Sequence, residues 1–235
     1  TEGNVITTFV DEIYTFDEEL NLYTLEVFLQ NSLTHEDEKD HWILLYKSNT
    51  PDSLIFKTTP NYVSKSASGY FVLNNIIDGS YKIVSLSGDD YIYHEDEIIS
   101  FSDKVIVAGA DTTIDLFTFN PLYKIDSTEI VKDTIKTEGG NLTLKSDFSG
   151  NIIVQLMKGN KVILQEIFKN TTDFRLKNIK TGEYTIRAFQ DKNENGYWDI
   201  GNFAEKKQAE KTYHFHEKIT IRSNWDLELE WFTVE

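Results

Sequence analysis

Residues 191–202 of this 235-residue chain read DKNENGYWDIGN and place oxygen-bearing side chains at alternate positions. A twelve-residue calcium loop takes oxygen ligands from positions 1, 3, 5, 7, 9 and 12, and a Gly at position 6 makes its sharp turn. Gly196 stands at that sixth position. The residues at the ligand positions, where the seventh contributes a backbone carbonyl, are Asp191, Asn193, Asn195, Tyr197, Asp199 and Asn202. Because these are hard oxygen ligands, the pattern predicts Ca²⁺ rather than Zn²⁺.

The last ligand position departs from the calcium pattern, because Asn202 stands where such loops have a bidentate Glu. The loss of one oxygen and one charge predicts weak binding, with a dissociation constant of about 10⁻⁴–10⁻³ M, as in extracellular modules. Glu205 or Glu210 could supply the missing oxygen from the segment that follows. We therefore expect a weakly bound, structural ion, and the alternative is a metal-free turn stabilised by its Asp and Asn side chains.

Two other groups of residues suggest binding chemistry less specifically. His214 and His216 lie two apart on a predicted strand and could bind a transition metal with Glu210 or Glu217, but no third ligand is fixed by spacing, so surface histidines are the simpler interpretation. A set of aromatic residues could form a sugar-stacking platform or belong to the core. That set comprises Trp198, Trp225, Trp231, Tyr184 and Tyr197.

Composition excludes several classes of function. The net charge of −16 argues against a nucleic-acid partner. The chain has no Cys, which excludes disulfides, thiolate metal sites and Cys nucleophiles within these residues. No Gly-rich phosphate loop, G-x-S-x-G motif or His set with a plausible nucleophile is present. We therefore expect a protein that is not an enzyme.

The predicted strand that precedes the loop at residues 191–202 belongs to an internal repeat. The pattern L-x-N-I-x-x-G-x-Y-x-I occurs at residues 73–83 and again at residues 176–186. It predicts a strand, a tight turn at the Gly, and a second strand that alternates inward and outward residues. The first copy therefore has its own loop at residues 87–97, where two residues are deleted and most of the ligand set is lost.

Other segments also have the character of strands, and helical periodicity is nearly absent. HWILLYK (41–47) and GNIIVQLMK (150–158) are apolar enough for central strands. The chain is therefore predicted to be all-β, with two tandem Ig-like or transthyretin-like β-sandwiches. We place the first, with an acidic N-terminal segment, at residues 1–120, a linker at 121–136, and the second sandwich at 137–235.

The second copy also resembles a known family. GEYTIRAFQDKNENGYWDIGNFAEKKQAE (182–210) and ITIRSNWDLELEW (219–231) resemble the C-terminal part of a family of envelope lipoproteins of Bacteroidota-type bacteria, described as Ig-like-domain proteins. Their repeated module is similar to the transthyretin-like or carboxypeptidase-regulatory-like sandwich. The family has a longer segment between the copies, so residues 121–136 could also span a gap in a longer chain.

The resemblance implies an exported protein at the outer membrane or cell surface, anchored through a lipid upstream of Thr1. It carries over no catalytic residues. We therefore expect a non-enzymatic accessory subunit of an envelope protein complex, with outer-membrane protein assembly as one such complex. The alternative is a carbohydrate-binding surface module that uses exposed aromatic residues.

Overall fold

The computed structural model describes residues 21–123 and 139–232, and within these ranges the chain is almost entirely β-structure. A short 3-10 turn lies at Asp52–Leu54. The strands of the first half are β1 Leu22–Asn31, β2 His41–Lys47, β3 Tyr62–Ser66, β4 Tyr70–Ile77, β5 Ser80–Ser87, β6 Ile99–Phe101, β7 Ile106–Val107 and β8 Thr113–Thr118. The strands of the second half are β9 Gly140–Ser146, β10 Asn151–Lys158, β11 Lys161–Lys169, β12 Asp173–Ile179, β13 Gly182–Gln190, β14 Thr212–His214, β15 Ile219–Ile221 and β16 Asp226–Trp231.

Each half forms a sandwich of a three-stranded and a five-stranded sheet with the same strand order. In the first half the orders are β4-β1-β8 and β3-β2-β5-β6, with β7 also paired to β5. In the second half they are β12-β9-β16 and β11-β10-β13-β14, with β15 also paired to β13. In both halves the first strand pairs in parallel with the last strand. The predicted all-β class with two β-sandwiches is confirmed.

The sandwich strands fall within the two predicted domain ranges, 1–120 and 137–235. Most of the proposed linker, residues 124–136, lies outside the described residues, as does the acidic cluster at residues 17–19.

Strand β1 shows how alternation builds the sandwich core. Its residues Leu25, Val27 and Leu29 are almost fully buried, whereas Phe28 between them is exposed. Successive side chains of a strand point to opposite faces, so the alternating pattern turns one face inward. Burying each such aliphatic side chain contributes about 1.5–3 kcal/mol. The second core is built in the same way from residues such as Leu142 and Leu144 of β9.

The repeated Asn has the same role in both copies. Asn75 and Asn178 adopt left-handed backbone conformations, with φ of 59° and 55°. Each lies at a point where the register shifts, between β4 and β1 or between β12 and β9. Asn tolerates the left-handed region better than most residues, so the repeat specifies a β-bulge at this position.

The repeated Gly and Tyr form a corner after the bulge. Gly79 and Gly182 have φ of 151° and 155°, a region that favours glycine. The hydroxyl groups of Tyr81 and Tyr184 donate hydrogen bonds to the carbonyl groups of Ile77 and Lys180, at 2.8 and 2.9 Å. Each Tyr thus fastens its strand to the turn that precedes it.

Candidate functional site

The predicted calcium loop begins where β13 ends, at Asp191. This carboxylate is 2% exposed and accepts backbone hydrogen bonds from Asn195 at 3.1 Å and Gly196 at 2.9 Å. Gly196 has a φ of 82°, so the sharp turn lies where the sequence places it. The buried Asp191 carboxylate therefore organises the loop, because the loop backbone folds around it.

A second carboxylate, Asp199, lies across the loop from Asp191. The side-chain amide of Asn195 donates to both of its oxygens at 3.0 and 3.1 Å, and the amide of Asn193 donates to one of them. The Asn195 side-chain oxygen also accepts the backbone N–H of Tyr197 at 2.7 Å. Amide donors thus occupy the inner side of the loop and satisfy the Asp199 charge.

Glu210 completes this carboxylate group from the end of the loop. It is 3% exposed and accepts the backbone N–H groups of Lys192 at 2.7 Å and Asp199 at 3.1 Å. Burial raises the pKa of Glu210, and the charges of Asp199 and Asp191 raise it further, while the two backbone donors oppose the shift. The sequence suggested Glu210 as a substitute calcium ligand or as a metal ligand beside His214, whereas its side chain accepts hydrogen bonds from two points of the loop, Lys192 and Asp199.

Asn202 and Glu205 lie in a separate turn. The Asn202 side-chain oxygen accepts the backbone N–H of Glu205 at 3.2 Å, and its backbone pairs with Lys207. The last predicted ligand position is therefore engaged with residues that follow it rather than with Asp191 or Asp199.

The described residues contain no group of three or more His, Asp or Glu side chains arranged to hold a metal ion. The observed loop is a hydrogen-bonded Asx turn in which amide groups take the places that a cation would occupy. Turning the Asn193 and Asn195 amides by half a rotation would present oxygen instead of nitrogen, so the residue types remain suitable for Ca²⁺. Calcium binding at Asp191, Asn193, Asn195, Tyr197, Asp199 and Asn202 stays a prediction.

The equivalent loop of the first sandwich is closed by its own residues. Asp90 accepts the backbone N–H of Ile92 at 2.8 Å, and Glu97 accepts that of His94 at 2.6 Å. Its side chains thus cap local turns. The two-residue deletion and the loss of most ligand residues account for the difference from the second copy.

The segment after the calcium-type loop, residues 200–209, packs against the first sandwich, and we call it the bridging segment. Phe203 contacts the rings of Phe56 and Phe101, with centroids 5.2 and 5.3 Å apart. Gln208 donates to the Phe101 carbonyl at 2.7 Å and to Asp103 at 3.1 Å. The loop that carries the candidate ligands therefore continues into the contact between the two sandwiches.

Lys206 and the close packing of Gly201 support the same contact between the bridging segment and the first sandwich. Lys206 lies 3.6 Å above the centre of the Phe203 ring and 3.4 Å from the Asp52 carboxylate. Gly201 is buried so close to the ring of Phe119 that a Cβ would clash with it. Sequence reasoning missed this interface, and the only signal for it was an apolar Phe203 within a charged loop.

A second point of contact joins the histidines of the two sandwiches. His35 of the β1–β2 loop lies against His214 of β14, with ring centroids 4.9 Å apart. His35 bonds the Thr212 hydroxyl at 2.8 Å, and His214 bonds the Leu33 carbonyl at 2.9 Å. His214 and His216 are both exposed, as the simpler interpretation expected; β14 ends at His214, and His216 lies beside Glu217, at 3.6 Å.

Partial burial at the contact favours the neutral form of both interface histidines. It lowers the pKa of His35 to about 4, and the charges of His214 and Lys211 add to the shift. Burial also lowers the pKa of His214; the Leu33 carbonyl and Glu36 oppose that change, while Arg187 adds to it. A proton on either ring would therefore weaken the contact.

The predicted aromatic platform does not form as one surface. Trp198 and Trp231 are 6% and 7% exposed, Tyr184 is also buried, and only Trp225 of these three tryptophans is exposed, at 55%. The Trp198 indole N–H donates to the Glu210 carbonyl at 2.8 Å, which fixes the ring under the loop. Trp198 and Trp231 are core residues, so they cannot offer an open face to a sugar.

Comparisons with known proteins give only distant similarities. No protein-family model matches the sequence, and no curated protein matches it. The Bacillus anthracis TIE protein has 15% identity and a TM-score of 0.27 over 90% of this chain, which spans 33% of that protein. GBS52, the minor pilin of Streptococcus agalactiae, has 11% identity and a TM-score of 0.26, covering 89% and 94% of the two chains.

The structure of a streptococcal ancillary pilin is similar at the same level, with 8% identity and a TM-score of 0.26 over 91% of this chain and 62% of that one. Similarities of this size carry no argument about function. Within the described ranges, no helix is long and apolar enough to cross a membrane.

Proposed function

We propose that this chain is a non-enzymatic module of an exported envelope protein, which serves as an accessory subunit of an outer-membrane or cell-surface protein complex. The observation that carries the proposal is the use of the most distinctive loop. Residues 191–210 connect the two sandwiches through contacts of Phe203 and Gln208 with the first sandwich. A body of two joined sandwiches suits the positioning of partner proteins.

The family resemblance supports the same proposal from an independent direction. It would imply an exported protein at the outer membrane or cell surface, and it brings no catalytic residues with it. Outer-membrane protein assembly is the kind of complex that we propose. The high negative charge, −16, suits partners with basic surfaces.

We further propose that Ca²⁺ binds weakly at the loop and has a structural role. The ion would take Asp191, Asp199, the Tyr197 carbonyl and the side-chain oxygens of Asn193 and Asn195 as ligands, once the two amides have turned their oxygens inward. Because the bridging segment follows directly, an ion at this point would stiffen the contact between the sandwiches.

The test of the subunit proposal is a pull-down of the tagged, full-length protein from detergent-solubilised native envelope. We expect a defined envelope protein to copurify in a fixed ratio, and a tagged lipoprotein of similar charge serves as the control. If the protein emerges alone and monomeric, the subunit proposal is wrong.

A further inference from the structure

A row of polar side chains crosses the outer face of the five-stranded sheet in the second sandwich. Gln165, Gln155, Arg187 and His214 occupy directly paired positions on the adjacent strands β11, β10, β13 and β14. Opposite residues on neighbouring strands are close enough to interact through their side chains. The row therefore forms one continuous polar strip.

A cavity of about 670 Å³ separates this strip from the first sandwich. Leu33, Phe119 and Tyr123 of the first half line it, and Tyr197 and Trp198 line it from the calcium-type loop. Its size lies within the range of about 300–1,000 Å³ that is usual for small-molecule sites. The cavity exists only because the two sandwiches are joined.

The hydrogen bonds of the strip run in one direction and begin at the arginine. Arg187 donates from Nε and Nη2 to the side-chain oxygen of Gln155 at 3.0 and 2.7 Å. Gln155 donates to Gln165 at 2.7 Å, and Gln165 donates to the Gly196 carbonyl at 3.1 Å. The two amides are thus oriented by their partners and hold the guanidinium in a fixed position.

Within residues 21–123 and 139–232, the charge of Arg187 is not balanced by an ion pair with any Asp or Glu. Burial lowers the pKa of this guanidinium, which reflects the cost of holding the charge away from water. Among the described residues that line the cavity, Glu36 is the one acidic residue, and it is exposed. A partly buried cation whose side-chain hydrogen bonds go to the neutral amide of Gln155 favours an anionic ligand.

We propose that the cavity between the sandwiches binds a small organic carboxylate, with Arg187 as its anchor. A guanidinium presents a planar fork of donors that matches a carboxylate in a bidentate geometry. The rings of Tyr123 and Tyr197, 45% and 42% exposed, offer faces for the body of the ligand. The carboxylate can come from an acidic sugar or from the C-terminus of a short peptide.

The experiment titrates the described two-sandwich protein by calorimetry with four probes. Glucuronate is paired with glucose, and acetyl-alanyl-alanine is paired with its C-terminal amide. We expect one of the two carboxylates to bind while its neutral partner does not, and the binding member identifies the source. Equal binding of a carboxylate and its neutral partner, or no binding of either carboxylate at 10 mM (about the weakest affinity a site of this kind would have), would overturn the proposal.

A pair of matched variants tests the anchor. Arg187→Gln should weaken binding by about tenfold or more, as expected for a lost charged hydrogen bond. Arg175→Gln removes an equal charge from an exposed position on β12 and should leave binding unchanged. Equal losses in both variants would show that overall charge, rather than the cavity, holds the ligand.

A measurement on the unaltered protein covers the case in which Arg187→Gln fails to fold. The NMR signals of the Arg187 Nε–H and the Trp198 indole N–H should shift as the carboxylate is added. Shifts confined to other surfaces of the protein would contradict the proposed site.

Discussion

The residues of the repeat act through backbone conformation as much as through burial. Asn75 and Asn178 have positive φ at equivalent bulges, and Gly79 and Gly182 shape equivalent turns. Such positions restrict the choice of residue regardless of how much space surrounds them. This explains why the pattern is recognisable in sequence while the surrounding strands have diverged.

Substitution of Asn178 tests whether its positive φ determines which residue is tolerated there. Asn178→Val places a β-branched residue in the left-handed region and should lower the free energy of unfolding by about 1–2 kcal/mol. The matched variant Asn178→Gly suits the backbone and should change it by less than about 0.5 kcal/mol. Urea unfolding measures both. Equal losses would mean that the amide side chain, rather than φ, matters at this bulge.

The interface histidines predict a dependence of stability on pH. The unfolded value of the His35 pKa is 6.5 and the folded value is about 4, so the unfolded state binds more protons between them. The contribution of a neutral His35 to the free energy of unfolding is therefore fully present above pH 6.5 and is lost as the pH drops towards 4. After a discount for partial exposure, the loss from His35 is about 1–2 kcal/mol.

Thermal melts of the protein and of His35→Gln at several pH values measure this effect. The variant should lose less stability than the parent between pH 6.5 and pH 4, because it carries no imidazole to protonate. His216→Gln serves as the control, since that ring is exposed. Parallel curves for the parent and His35→Gln would refute the assignment.

At the scale of elements, the calcium-type loop and the bridging segment form one continuous connection from β13 to β14. Asp191, Asp199 and Glu210 close the loop, and Phe203 and Gln208 carry the chain onto the first sandwich. A disturbance of the loop should therefore be felt at the interface.

Truncation of Phe203 tests the role of the bridging segment in this connection. Phe203→Ala removes a half-buried ring and should destabilise the interface by about 2 kcal/mol. In calorimetry we expect the two sandwiches to unfold more independently, with a broadened or split transition. Phe232→Ala removes a ring that is 55% exposed and should leave the transition unchanged. An unaltered transition in Phe203→Ala would show that this contact is not stabilising.

Addition of calcium tests the role of the calcium-type loop in this connection. A ligand that binds only the folded state raises its stability, and 10 mM Ca²⁺ at the predicted affinity adds about 1.5–3 kcal/mol. The melting temperature should therefore rise by several degrees in the parent protein and remain unchanged in Asp199→Asn. The absence of any shift at millimolar Ca²⁺ would leave the metal-free turn as the correct interpretation.

At the scale of the whole molecule, the sequence predicts the two sandwiches better than it predicts their contact. The segments 41–47 and 150–158 were expected to be central strands and form β2 and β10. Strand β1 was not expected, although its alternation is clear once its ends are known. The repeat supplied the equivalence of the two halves, because the bulge and the turn need particular residue types.

The contact could not be predicted because its residues have no shared period. Leu33, His35, Phe119 and Phe203 come from separate loops and strand ends, and each alone suggests only a surface position. The burial of Trp198 follows from the same contact. Tertiary packing between the two halves therefore places Trp198 in a core, which is the alternative to the surface platform.

We expect the loop of residues 191–210 to hold the two sandwiches together as one rigid body. Since the chain has no Cys, spin labels can be attached at Lys104→Cys and Lys161→Cys, which are exposed positions on different sandwiches. Pulsed electron paramagnetic resonance should give a single narrow distance distribution, which broadens when Phe203→Ala and Glu210→Ala are added. A broad distribution in the parent protein would contradict the claim.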